Sequence, residues 1–266
     1  MTTFDLTEIV DVANRAADAA RGPALQFFRA DGLEAENKLA SGFDPVTEGD
    51  RAVERSIRAV LAEMRPDDTI IGEEYGQTDG KSGVSWIIDP IDGTRAYLCG
   101  APTWGVLVAA VGADDVICGI IDQPFTQERF IGVGNDAKWM KAGTIKALKT
   151  RGTDRLGDAR LLTTFPEVGR PQDRDGFQAV AENVRLVRYG LDCYGYALLA
   201  AGQVDLVIEA GLSNYDIAGP IGVIRAAGGC VTTWDGGNPL NGGQVLASAN
   251  ERLHAAALDL LGPFAG

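Results

Sequence analysis

The sequence predicts an α+β fold in its first half that passes into an α/β fold in its second. Three observations lead there. Two stretches near the start place apolar residues at helical spacing. A set of apolar segments too short for helices follows, separated by turn residues. Beyond the charged and glycine-containing stretch 146–158, strand-like and helix-like segments alternate.

The elements follow in order. From about Asp5 to Phe28, Ile9, Val12, Ala13, Ala16, Ala17 and Ala20 define one helical face. The stretch Asp31–Asp44 is polar and reads as a connection. A second helix is expected over about Thr47–Met64, with Val53, Ile57, Val60, Leu61 and Met64 inward and Pro66 just beyond its end. Strands are expected at Thr69–Ile71 and Ser85–Ile88. Two more are expected at 104–112 and 115–124, turning near Gly112–Asp115, and a hairpin at 128–143. These strands read as an antiparallel meander. The second half reads strand Arg160–Thr164, helix Asp175–Asn183, strand Arg185–Arg188, helix Asp192–Ala201, strand Val204–Glu209, helix Ile217–Ala227, strand Cys230–Thr232 and helix Asn250–Leu261. Two units are expected, 1–148 and 149–266.

The 37 acids outnumber the 24 bases, giving a net charge of −13 with no Lys/Arg run, which argues against a nucleic-acid partner. An acidic protein that handles phosphate needs a local positive charge, and a bound divalent metal supplies one. The surplus of acids has a plainer use in solubility. No apolar run reaches the length of a membrane span, and the first 20 residues lack the form of a secretory signal, so a cytoplasmic protein is expected. Cys99, Cys118, Cys193 and Cys230 are too scattered for a disulfide framework or zinc site, and read as buried or half-buried small hydrophobes. The single histidine, His254, sits in the C-terminal helix and reads as partly exposed. A histidine-based triad or a multi-histidine zinc site is therefore excluded, and chemistry falls to carboxylates, hydroxyls, backbone groups or metal.

The strongest local signal is Trp86-Ile87-Ile88-Asp89-Pro90-Ile91-Asp92-Gly93-Thr94. An apolar strand ends in two carboxylates spaced i, i+3 around a proline that stiffens the turn. Gly93 permits positive φ or close backbone approach. The two carboxylates and the Ile91 carbonyl form a hard oxygen set of the kind Mg2+ takes. If a helix begins at Thr94, its first N–H groups suit phosphate oxygens. The plain alternative is a turn with solvated acids. Gly72-Glu73-Glu74 again puts acids after an apolar strand. Thr47-x-x-Asp50 has the form of a capping box. Asn214-Tyr215-Asp216 places an acid at a helix start, where the macrodipole favours one regardless.

Taken in order, these motifs resemble the inositol monophosphatase superfamily of metal-dependent phosphatases, from about Asp5 to the C-terminus. The resemblance implies a layered α/β/α/β/α sandwich. It also implies hydrolysis by a metal-activated water attacking in line, without a phosphoenzyme, and Mg2+ as cofactor. It places Glu73, Asp89 and the Ile91 carbonyl on a first metal, and Asp89, Asp92 and Asp216 on a second. Gly93 and Thr94 would donate backbone N–H groups to phosphate. Asp50 and Thr94 would position water, with Glu73 counted among the catalytic groups. Lys38 would lie near the phosphate. The 1–148 unit would then hold most metal ligands, and 149–266 would hold Asp216 and the substrate-recognition residues. A homodimer is implied as well.

Arg188-Tyr189-Gly190-Leu191-Asp192-Cys193-Tyr194 and Thr94-Arg95-Ala96-Tyr97 look like the histidinol-phosphate phosphatase branch, which belongs to histidine biosynthesis. So do Pro102-Thr103-Trp104-Gly105 and Asp122-Gln123-Pro124 with Glu128-Arg129. Asp192 and Glu209 stand where the family puts substrate-binding groups, and carboxylates suit a cationic leaving group. Glu209 suits sugar hydroxyls equally, and Asp192 has an alternative role in capping its helix. Inositol monophosphate and a 3′-phosphonucleotide are the other small phosphate monoesters in view. A non-catalytic metal-binding protein is the reading outside the class. Met140-Lys141-Ala142-Gly143 departs from the Asn-Gly turn common in the family and leaves that hairpin's geometry open.

Overall fold

The structure is a computed structural model, and it describes residues 5–31, 34–37, 45–113 and 115–266. Lys38 lies outside the described residues.

Two helices open the chain. α1 (Leu6–Phe27) starts where the Asp5 carboxylate accepts the Thr7 and Glu8 N–H groups. Short strands β1 (Glu36–Asn37) and β2 (Pro45–Val46) pair with each other. α2 (Glu48–Met64) starts at the expected Thr47–Asp50 capping box. There follow β3 (Thr69–Gly72), β4 (Gly76–Thr78), β5 (Ser85–Asp92), a one-turn α3 (Thr94–Leu98), β6 (Gly105–Val111), β7 (Val116–Gln123), β8 (Glu128–Val133), β9 (Asp136–Lys141) and β10 (Thr144–Ala147). The second half contains β11 (Arg160–Thr163), α4 (Pro171–Ala181), β12 (Leu186–Tyr189), α5 (Asp192–Ala200), β13 (Leu206–Leu212), α6 (Asn214–Ala226), β14 (Cys230–Thr233), β15 (Gly243–Ser248) and α7 (Glu251–Leu261).

Eight strands form one sheet in the order β10-β9-β8-β7-β6-β5-β3-β4, and five form another in the order β12-β11-β13-β15-β14. The alternation of buried positions on α1 and α2 lays both on one face of the large sheet, around Trp86, Ile88, Val106 and Val108. α5 and α6 fill the space between the sheets. There Leu107, Ile121 and Phe130 of the large sheet meet Ala197, Ile217, Ile221 and Val245. α4 and α7 cover the outer face of the small sheet through Phe177, Val180, Leu253 and Leu261. The layers therefore run α/β/α/β/α, as the resemblance implied. α6 approaches the large sheet so closely that a Cβ at Gly119 would stand 2.3 Å from the Gly219 carbonyl oxygen.

The structure corrects several expectations. The first sheet is not a pure meander, because β3 and β5 run parallel. That requires a crossover, and it brings the C-terminal ends of both strands to one end of the sheet. β15 was missed although it is central to the small sheet, antiparallel to both β13 and β14. Its core, Val245-Leu246-Ala247, is buried on both faces and so shows no alternation. β4 and β10, both exposed, were missed because Gly76-Gln77-Thr78 has no apolar residue and Thr144-Ile145-Lys146-Ala147 is too short to show a pattern. α4 begins at Pro171 and α6 at Asn214, each earlier than the apolar pattern indicated, because first turns are polar and held by caps. His254 is buried, its ring between the Thr232 and Ser248 hydroxyls at 2.9 and 2.8 Å. Cys99 is exposed rather than buried. The hairpin left open by sequence is a two-residue turn with φ of +47° at Ala142 and +79° at Gly143, so alanine takes the place that asparagine fits best. Among the described residues, no helix is long and apolar enough to cross a membrane.

Candidate active site

Glu73 leaves the C-terminal end of β3, and its N–H donates to the Ile88 carbonyl of β5 at 3.3 Å. This short tie fixes the acidic loop against the strand bearing Asp89. Glu54 of α2 holds the loop from below. Fully buried, its carboxylate accepts the Glu74 N–H at 2.7 Å and the Tyr75 N–H at 3.1 Å, and pairs with Arg58 at 2.7 Å. The sequence reading missed Glu54. An acid on the same face as Val53, Ile57 and Leu61 was the available sign, since a buried carboxylate must be satisfied.

The strand β5 does not stop at Ile88. It runs to Asp92, with a bulge that sets Asp89 opposite Leu107 and Asp92 opposite Gly105. Pro90, which has no N–H to give a ladder, sits inside the irregularity. Bulges re-aim side chains, and here one carries both carboxylates. Asp89 is 1% exposed, so the reading of solvated turn acids fails for it. Gly93 then takes φ +81° and starts α3. A side chain there would also meet the Asp192 carboxyl carbon at 2.7 Å, so glycine is required twice.

Asp50 uses one carboxylate oxygen for its cap, accepting the Thr47 N–H at 2.7 Å and the Thr47 hydroxyl at 2.6 Å. Its other oxygen faces the Thr94 hydroxyl at 3.4 Å, long for such a bond. The Thr94 hydroxyl also lies 3.1 Å from the Ile91 carbonyl. Burial pushes Asp50 up to about 6.

The second half supplies the opposite wall. Asp216, in the first turn of α6, accepts the Ser213 N–H at 2.6 Å. Asp192 is the first residue of α5 and holds φ +47°. Its carboxylate accepts the Thr103 hydroxyl at 2.7 Å and does not cap its own helix. The cap comes instead from the first half: Asp92 accepts the Cys193 N–H at 2.6 Å. Glu209, on β13, accepts the Thr164 N–H and hydroxyl at 2.7 and 2.9 Å and the Thr163 hydroxyl at 3.1 Å, and burial pushes it up to about 7.

These groups surround one cavity of about 290 Å³. Glu73, Asp89, Ile91, Asp92, Gly93, Thr94, Asp192, Glu209 and Asp216 all line it. Asp50 lies behind, reached through Thr94. Arg95, Phe165, Thr164, Cys193 and Tyr196, with Ala210, Gly211 and Leu212, complete the wall and had no assigned role from sequence. Arg95 stacks its guanidinium over Phe165 at 4.9 Å and is the one cation among the described lining residues.

Oxygens of Asp89, Asp92 and Asp216 lie within 4.8 Å of one another. Burial first, then the charges of Glu73, Asp92, Asp216 and Asp50, drive Asp89 well above the carboxylate range. Burial and the charges of Asp192 and Asp216 do the same to Asp92. One oxygen of Asp89 is buried with no hydrogen-bond partner among the described residues. Crowded, desolvated carboxylates with an orphaned oxygen are stable as anions only beside a cation, so the donor set fits a hard divalent metal.

The layered fold, with acids gathered where two parallel strands end and facing a helix start from the second half, defines a class of phosphate-monoester hydrolases. Comparison with known proteins narrows it. The profile of the inositol monophosphatase family matches residues 5–262. The chloroplastic bifunctional phosphatase IMPL2 of Arabidopsis thaliana is 33% identical over 272 residues, spanning 98% of this chain and 77% of its own. The histidinol-phosphatase of Mycobacterium tuberculosis is 31% identical over 264 residues, spanning 98% of this chain and 99% of its own. An inositol monophosphatase from Zymomonas mobilis superposes with a TM-score of 0.84 at 34% identity, over 98% of this chain and 100% of that one. The chain belongs to the inositol monophosphatase family and is a phosphomonoesterase.

Proposed function

We propose that this enzyme is a Mg2+-dependent phosphatase that hydrolyses histidinol phosphate to histidinol. The observation behind the substrate is the charge of the cavity wall that the second half of the chain supplies. Asp192 and Glu209 stand there, and Arg95 is the one described lining cation. Histidinol phosphate has an ammonium and an imidazole to offer such a wall, and a neutral polyol has neither. A relative named histidinol-phosphatase supports this reading. The neighbouring structure named inositol monophosphatase supports the alternative, a neutral inositol phosphate.

Glu73, Asp89, Asp92, Asp216 and the Ile91 carbonyl would hold the metal. When bound, Mg2+ supplies positive charge for the phosphoryl oxygens and lowers the pKa of coordinated water. The chain's own groups do the rest. Backbone N–H groups of Gly93 and Thr94 bind phosphate oxygens. The Thr94 hydroxyl, backed by Asp50, orients the attacking water, and the water's proton reaches Asp50 through that hydroxyl, which gives up its own as it takes the water's. Asp192 and Glu209 hold the leaving group, and the buried cavity keeps these contacts strong. A homodimer belongs to the same reading through the resemblance and a cytoplasmic location through the sequence pattern, and sedimentation reports on the first.

Asp192→Asn tests the substrate. Asparagine tolerates positive φ and keeps an acceptor for Thr103, so only the charge is lost. The expected result is about a tenfold rise in KM for histidinol phosphate, with inositol 1-phosphate changed by less than about twofold. Equal losses on both esters would remove Asp192 from recognition and favour the neutral substrate.

A further inference from the structure

Tyr196 lies on α5 four residues after Asp192, one turn along, so the two side chains share a helix face. Its ring is buried, and it lines the cavity. Its hydroxyl is fully buried and has no hydrogen-bond partner among the described residues. Tyr196 is thus a cavity-lining side chain whose polar atom no described group satisfies. The other described buried groups without partners, Trp104 Nε1, Thr126 Oγ1 and Trp234 Nε1, do not line the cavity, and the Asp89 oxygen belongs with the carboxylate cluster.

We propose that the Tyr196 hydroxyl hydrogen-bonds the leaving group of the substrate and is a specificity-determining residue for leaving groups with polar N–H or O–H groups remote from the phosphate. A buried hydroxyl with no protein partner is costly until a ligand satisfies it. Its place one turn beyond Asp192 sets it, with Glu209, among the second-half residues of the cavity wall, to which the proposed function gives the leaving group. The identity of the ester rests on that proposed function; the contact itself does not.

The test compares the unaltered enzyme with Tyr196→Phe on histidinol phosphate and on phenyl phosphate, whose leaving group has no polar atom beyond the ester oxygen. Y196F should raise KM for histidinol phosphate about fivefold to twentyfold, the size of one ligand hydrogen bond, and leave kcat/KM for phenyl phosphate within about twofold. The melting temperature should stay or rise, because the deleted oxygen bonds nothing among the described residues. Equal changes on both esters would overturn the proposal, and so would a lowered melting temperature without selectivity. If the unaltered enzyme hydrolysed inositol 1-phosphate and ignored histidinol phosphate, the substrate reading would fail alone. Y196F would then be compared on inositol 1-phosphate and phenyl phosphate, and the same selectivity would decide the contact.

Discussion

Asp92 meets two demands with one carboxylate. One oxygen accepts the Cys193 N–H and so closes the start of α5. The side chain also stands in the crowded cluster with Asp89 and Asp216. Substitution separates the two. Asp92→Asn keeps an acceptor for Cys193 and removes the charge. Turnover should fall by roughly a thousandfold or more, while the melting temperature in chelator stays or rises as repulsion is relieved. Asp92→Ala should in addition lose the cap, at about 1 kcal/mol or roughly 2–4 °C. Near-normal turnover of D92N would refute the metal assignment. At this scale much of the site was legible in the sequence, because carboxylates after apolar strands and a glycine after Asp92 are unusual enough to notice. Glu54 and Tyr196 were not. Each is a single polar group on an otherwise apolar helix face, and its importance lies in what it touches across the fold.

At the scale of elements, β15 and His254 show how a partner decides what a segment becomes. The stretch 243–248 carries no periodic signal; it is a strand because β13 and β14 both pair with it. α7 packs on that strand and buries His254 between Thr232 and Ser248. Burial lowers the imidazole from 6.5 to about 4. The folded chain thus refuses a proton that the unfolded chain accepts between those values. Stability from this group is complete above about pH 6.5 and is lost as pH falls toward about 4, by up to roughly 3 kcal/mol. Denaturant unfolding at pH 7 and pH 4.5, compared with His254→Gln, should show a steeper acid loss in the unaltered protein. Identical slopes would place the histidine's titration elsewhere. The histidine's presence was plain in the sequence; its burial was not, since hydroxyls on the paired strands β14 and β15 supply its partners.

Across the whole molecule, the site exists only where the two sheets are stacked. Glu73, Asp89 and Asp92 come from the C-terminal ends of β3 and β5 in the large sheet, while Asp192, Glu209 and Asp216 come from α5, β13 and α6. The middle helical layer shares one core with both sheets. We infer that the units 1–148 and 149–266 assemble as one cooperative body rather than as separable domains. Helices and many strands could be read from periodicity, but the stacking order could not. It followed only from the resemblance, because which faces meet depends on contacts between residues far apart in the chain.

The central claim is that this carboxylate cluster works through Mg2+ on a cationic phosphate ester. Its most direct test is phosphate release from histidinol phosphate and inositol 1-phosphate, in Mg2+ buffer and after EDTA. Turnover abolished by EDTA, restored by Mg2+ and higher in kcat/KM on histidinol phosphate is the predicted result. Turnover that survives complete metal removal would contradict the mechanism, and Mg2+-dependent turnover favouring inositol 1-phosphate would contradict the substrate.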